Sequence, residues 1–235
     1  MKVITLDKEI FEKAFVLCNK TLEMKDVVNI LEGSDDVEKQ IALLQISDIE
    51  NKMQAELVIR HLTGQDGPVR EAAALKIREL LLEKKSLLMD FENFYTVYVD
   101  AICDVNPNIS RFVIEFLPLL KNRKLLYETL LSKIGQIYQR IDNPDNAQKN
   151  FLTVRLFNLY WLLEAIGTLM KYDREGLDFE HLLVFLDRAL NFNDYTIDEK
   201  VARIITLVEF SGAEGLKKKL LSTGNFYVKR YFKEF

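Results

Sequence analysis

Apolar residues recur three and four positions apart along nearly the whole chain, the spacing of helices with one buried face, and no alternating run competes as a strand. The pattern predicts helices near 7–19, 22–32, 36–48, 50–63, 68–84, 87–103, 108–121, 123–141, 146–171, 177–190, 196–210, 213–222 and 225–234. Short breaks separate them: Gly33-Ser34, Gly64 to Gly67, Asn106-Pro107, Asn143-Pro144, Asn191 to Asp194 and Thr223-Gly224. Ser211 to Gly215 marks another break. None of these is long enough to act as a flexible linker, so residues 1–235 read as a single all-α domain. Helices joined this tightly stack most readily as antiparallel pairs, whereas a four-helix bundle would use fewer and longer helices.

The breaks repeat. Asp66, Asp104 and Asp142 each sit in a turn, at gaps of 104 − 66 = 38 and 142 − 104 = 38 residues, and Pro68, Pro107 and Pro144 follow within three residues. Proline suits the first helical turn, where its missing N–H costs nothing. Aspartate just ahead of it can cap free N–H groups. Each Asp and Pro turn therefore reads as a helix entry. The helices echo one another as well: Glu38–Ile49 aligns with Val69–Leu80 at a shift of 31, pairing Lys39 with Arg70, Leu44 with Leu75 and Ile46 with Ile77. The run Ala72-Ala73-Ala74 leaves room for a neighbouring helix to come close. A period of 31 to 50 residues per helix pair is that of helical repeat arrays.

The stretch Asp66-Gly67-Pro68-Val69-Arg70-Glu71-Ala72-Ala73-Ala74-Leu75 resembles the HEAT-repeat family, whose mark is a turn aspartate, then Val-Arg opening the second helix of a pair, then a small or apolar run. The resemblance is best over 35–211, with 212–235 as capping helices. Other units depart from it: Ile109-Ser110-Arg111 follows Asp104, Val154-Arg155 falls late in its helix, and Val201-Ala202-Arg203 carries an insertion. The resemblance implies a right-handed α-α superhelix, a HEAT-like solenoid of about 12–13 helices. It also implies a ladder of aspartate and arginine between neighbouring repeats, involving Asp66 and Arg70, Asp104 and Arg111, and Asp142 with Arg155. Arginine can donate several hydrogen bonds to a carboxylate on the next level and so fix stacking geometry.

Composition narrows the class. With 9 glycines and 4 prolines in 235 residues, there are too few breakers for many short strands. The net charge of −4 argues against a protein that tracks phosphates, so nucleic acid is an unlikely partner. Cys18 and Cys103 lie in apolar helical contexts and read as small buried hydrophobes, not as a disulfide framework. No signal-peptide core precedes Asp7, and a cytoplasmic location is expected. Phe151–Met170 is long enough to span a bilayer but carries Arg155, Asn158 and Glu164, and each charge at that depth would cost on the order of 3 kcal/mol. A buried helix explains the same apolarity without that cost, so no membrane span is expected.

Candidate chemistry is sparse. His61 and His181 have no ligand-spaced partners, so neither a metal nor a cofactor is expected. His61 sits where the end of a helix would welcome positive charge. Phosphate-loop, nucleophile-elbow and zinc-protease motifs are absent from the sequence. Asp35-Asp36 reads as a helix cap. The expectation is a non-enzymatic scaffold that binds a protein on the concave face of the stack. Lys76, Arg111, Glu115, Arg155, Asn158, Tyr160, Glu164 and Arg203 are the candidate surface residues. The alternative is a DNA-binding protein, or an alkylpurine DNA glycosylase of HEAT-like architecture. That class needs a basic groove with tryptophans and an aspartate, and this chain is acidic with one tryptophan, Trp161, in a run that reads as core. Residues 212–235 hold Lys217, Lys218, Lys219, Lys229, Arg230 and Lys233 against Glu214 and Glu234, or 6 − 2 = +4. They read as a capping helix pair, aromatic inside and basic outside, or else as an edge that meets an anionic partner. Exposed ends of a stack also leave self-association open.

Overall fold

A computed structural model describes residues 8–83, 88, 91–143, 149–207, 212–223 and 225–233. Pro144, Ser211 and Gly224, used above as turn signals, lie outside that set. The described residues are all-helical: α1 (Lys8–Cys18), α2 (Met24–Gly33), α3 (Asp36–Gln45), α4 (Lys52–Arg60), α5 (Gly67–Leu82), α6 (Tyr95–Ile102), α7 (Pro107–Phe116), α8 (Arg123–Asp142), α9 (Lys149–Tyr172), α10 (Phe179–Leu190), α11 (Tyr195–Ile205), α12 (Ala213–Ser222) and α13 (Phe226–Phe232). Among them no helix is long and apolar enough to cross a membrane.

One capping device recurs from helix to helix. Asp35, Asn51, Asp66, Asn122 and Asp178 each accept a hydrogen bond from the backbone N–H three residues on, at the heads of α3, α4, α5, α8 and α10. Asn106, Asp194 and Asn225 do the same from the N–H two residues on, for α7, α11 and α13. Each bond satisfies a donor that the helix itself leaves free. At α3 the cap is reciprocal, since the Glu38 carboxylate also takes the Asp35 N–H.

Two of the three expected aspartate caps change. Asp66 does cap α5, but at α7 the cap is Asn106 and not Asp104, and Asp142 closes the last turn of α8 instead of opening a helix. The helix expected to run to 121 leaves α geometry at Phe116, because Pro118 has no N–H to return to the preceding turn, and Leu117–Leu119 is a 3-10 turn. The helix expected from 87 begins its α geometry at Tyr95, after a 3-10 turn over Glu92–Phe94.

The chain divides into two compact units: Met1–Ala101 with Val105–Lys121, and Ile102–Asp104 with Asn122–Phe235. In the first unit, α3 packs on α1 and on α5, and α5 packs in turn on α7. The alanine run Ala72 to Ala74 is buried within α5, the helix clasped on both sides. Val58, Ile59, Leu62, Ile77, Leu81, Tyr98 and Phe116 fill the core around it. In the second unit α9 packs on α11 and α11 on α13, with α10 beside α8, α11 and α12. Leu130, Ile134, Leu162, Ile166, Leu186, Val201 and Leu220 form that core.

Besides packing on chain neighbours, as α8 does on α9 and α2 on α3, helices pack on the next but one, and several of these next-but-one pairs run parallel. Glu71 of α5 accepts from Asn108 at the head of α7, and Arg78, two turns further along α5, pairs with Glu115 two turns further along α7. On α8 and α10, Tyr127 reaches the Asp178 carbonyl, Tyr138 that of Phe185, and Asp142 takes Arg188. On α11 and α13, Asn225 donates to the Tyr195 carbonyl and the Tyr231 hydroxyl to Glu199. Each series climbs both helices together.

Candidate functional site

The most built-up polar cluster lies on α9 and α11. Two cations converge on one carboxylate: Arg203 Nη1 binds Glu164 Oε1, and Lys200 Nζ stands 2.9 Å from Glu164 Oε2. The three side chains are only 13 to 20 % exposed, so water screens them weakly. The Lys200 ammonium also lies 4.5 Å from the centre of the Tyr160 ring, a cation–π distance. Arg203 Nη2 reaches Thr168 Oγ1 at 3.4 Å. Gly167 faces the cluster, where a Cβ would sit in ordinary contact with Ile204 at 3.5 Å and Arg203 Nε at 3.7 Å. Burial works against the Glu164 charge, but hydrogen bonds and charge from Arg203 and Lys200 outweigh it and hold the carboxyl below its usual range.

An open groove of about 440 Å³ borders this cluster, lined by Thr153, Leu156, Phe157 and Tyr160 of α9 and by Asp194 and Thr196 at the head of α11. Asp194 is committed to its helix, accepting from the N–H groups of Thr196 and Ile197 and from the Thr196 hydroxyl. Phe157, Leu152 and Val154 remain exposed on α9, and Tyr195 is 66 % exposed beside the groove. A comparable groove of about 470 Å³ lies in the first unit, between Gln40 and Leu44 of α3 and Gly67, Glu71 and Leu75 of α5, with Asn106 at its end. One groove lies between α9 and α11 and the other between α3 and α5.

The sequence candidates fall into three groups. Tyr160, Glu164 and Arg203 come together in the cluster just described. Arg111 and Glu115 are exposed on α7, where Glu115 pairs with Arg78, and Arg155 is half-buried on α9. Lys76 and Asn158 are each 9 % exposed, which removes them from any surface, and Lys76 Nζ is held 2.9 Å from Glu79. Arg70 donates to the carbonyls of Gly64 and Gln65, bracing its own turn. Asp142 pairs with Arg188, not Arg155. Asp104 lies in the turn between α6 and α7.

Lys200, Arg78 and Arg188 were not singled out from sequence. Lys200 could have been, because it lies one helical turn before Arg203 and shares its face. Three further expectations are corrected. Cys18 is exposed and Cys103 half-buried, because α1 turns Ile10, Ala14 and Leu17 inward and Cys18 sits one step round the helix from Leu17. His61 does close α4 as expected, but burial lowers its pKa, with Lys39 adding to the effect, which disfavours the cation expected there. Phe226 and Tyr227 are 63 % and 50 % exposed, so α13 is not aromatic on the inside alone. Trp161 is half-buried, with Phe157 and Tyr160 edge-on to its ring.

Among the described residues no group of three or more His, Cys, Asp or Glu is placed to hold a metal ion. No protein-family model matches the chain, and no curated protein matches its sequence.

Proposed function

We propose that the chain is a HEAT-like α-solenoid that binds a protein along its odd-numbered helices, with the groove between α9 and α11 as the principal contact. The observation that carries this reading is the spacing of the polar rungs between parallel helices. Asn106 meets Glu71 across 35 residues, Arg78 meets Glu115 across 37, Arg203 meets Glu164 across 39, and Tyr231 meets Glu199 across 32. That is the period of paired-helix repeats, whose inner helices lie side by side and leave a grooved surface. Exposed Phe157 and Tyr195 beside half-buried Tyr160 supply the aromatic area that protein interfaces favour.

A photo-reactive residue tests this directly. Placed at Phe157 it should couple to a discrete protein in native extract, while the same residue at Val184, exposed on α10, should give no such adduct. Equal labelling from both positions would contradict a binding role for the groove. Titration with DNA and RNA separates the alternative, because a nucleic-acid enzyme should bind with an affinity that falls steeply with salt. The scaffold reading expects negligible binding at any salt.

A further inference from the structure

We propose that copies of this chain associate head to tail, the outward face of α12 and α13 in one copy seating on the outward face of α1 and α3 in the next. The idea goes beyond the groove and does not depend on what the groove holds.

Two observations carry it. First, among the described residues α1 and α13 are the outermost helices of their layers, α1 packed on α3 and α13 on α11. Each leaves large apolar side chains in water. On α1 these are Phe11, Phe15 and Val16, at 59, 63 and 64 % exposure, with the two phenylalanine rings stacked along one face. On α13 they are Phe226 and Tyr227. Surfaces of this kind gain by being covered.

Second, the two faces carry opposite charge. The residues of α1 and α3, Lys8 to Cys18 and Asp35 to Gln45, include five acids and three lysines, or 3 − 5 = −2. Exposed Asp35 and Asp36 lie at the head of α3, and Asp35 and Glu38 are near enough to Lys13 of α1 to act on its charge. Gly212 to Lys233 contains six cations and one acid, or 6 − 1 = +5. Lys218, Arg230 and Lys233 are exposed there, with Arg230 one helical turn along α13 from Phe226. Each face thus joins aromatics to charge, and the charge of one suits the other but repels its own kind. Such a contact is heterologous, joining a different face of each copy. In it, α1 of one copy would extend the layer that ends with α13 of its neighbour.

The test uses three forms of the full chain, kept reduced because Cys18 is exposed. Wild type at low salt should show a mass in sedimentation that climbs above 27.4 kDa with concentration and returns towards it as salt is added. A head-blocked variant, Phe15→Glu, and a tail-blocked variant, Arg230→Glu with Lys233→Glu, should each stay monomeric, with association weakened about tenfold or more. Their unchanged circular dichroism would show that both remain folded. Mixed, each still has one working face, so they should form a species of twice the monomer mass and nothing larger. Three results would overturn the proposal: wild type fixed at 27.4 kDa at low salt, a tail-blocked variant that associates alone, or wild type that binds phosphatidylserine vesicles without associating with itself.

Discussion

Glu164 concentrates the energetic stakes of the second unit. Removing its charge leaves Lys200 and Arg203 close together and only slightly exposed, without their counter-ion. Breaking a buried pair costs far more than breaking one on the surface. Glu164→Gln should therefore destabilise by about 2 kcal/mol in urea unfolding, and a loss too small to measure would show the cluster to be decorative. The acid side follows by linkage. The folded-state pKa lies below the ordinary 4.5, so the stabilisation is complete above that pH and drains away as pH falls through the folded-state value. Glu164→Gln should flatten this acid limb. Asp198 has the opposite sign. Its Oδ1 is buried with no hydrogen-bond partner, and burial, with Asp194 adding, raises its pKa above 3.8. Stability should fall as pH rises through the folded-state value, so Asp198→Asn should melt higher than wild type at neutral pH. A lower melting temperature would mean that the carboxylate has a partner in solution. Neither side chain announces this in the sequence. Glu164 was legible only as a charge inside an apolar run, and Asp198 as one more polar residue near a helix start, since burial depends on which helices meet.

Individual helices were more legible, because their signals are local. Asp66, Pro68 and the alanine run state the start and packing of α5 within ten residues. The helix end near Phe116 was misplaced although Pro118 was in plain view, since a proline in an apolar stretch looks compatible with continuation until the backbone bond it forfeits is counted. Asp142 misled for a related reason: an aspartate before a proline can close one helix as readily as open the next. Caps and small residues give checks at this scale. Asp194→Ala removes the acceptor for two backbone donors at the head of α11 and should cost about 1 kcal/mol by the same urea assay. Ala73→Leu in α5 should cost about 1 to 3 kcal/mol, because a fully buried alanine in a helix packed on both sides has no space for three more carbons. A neutral Ala73→Leu would mean that α5 does not sit between α3 and α7 as described.

At the scale of the whole molecule, the sequence carried the all-helical class, but not the pairing of helices, which rests on side chains 32 to 51 residues apart. Alignment of breaks hinted at that range, but rungs such as Arg78 with Glu115 and Glu164 with Arg203 join residues far apart in the chain and leave no local signal. The proposed function rests on helices of one layer laid side by side, because such a layer leaves grooves between them. Spin labels on Phe157 of α9, Tyr195 of α11 and Tyr227 of α13, with Cys18 and Cys103 replaced by serine, measure this in solution. A layer predicts that the α9 to α13 separation is about twice that of α9 to α11, in steps of roughly 8 to 10 Å between helix axes. Three nearly equal separations, as in helices clustered around a common core, would contradict it.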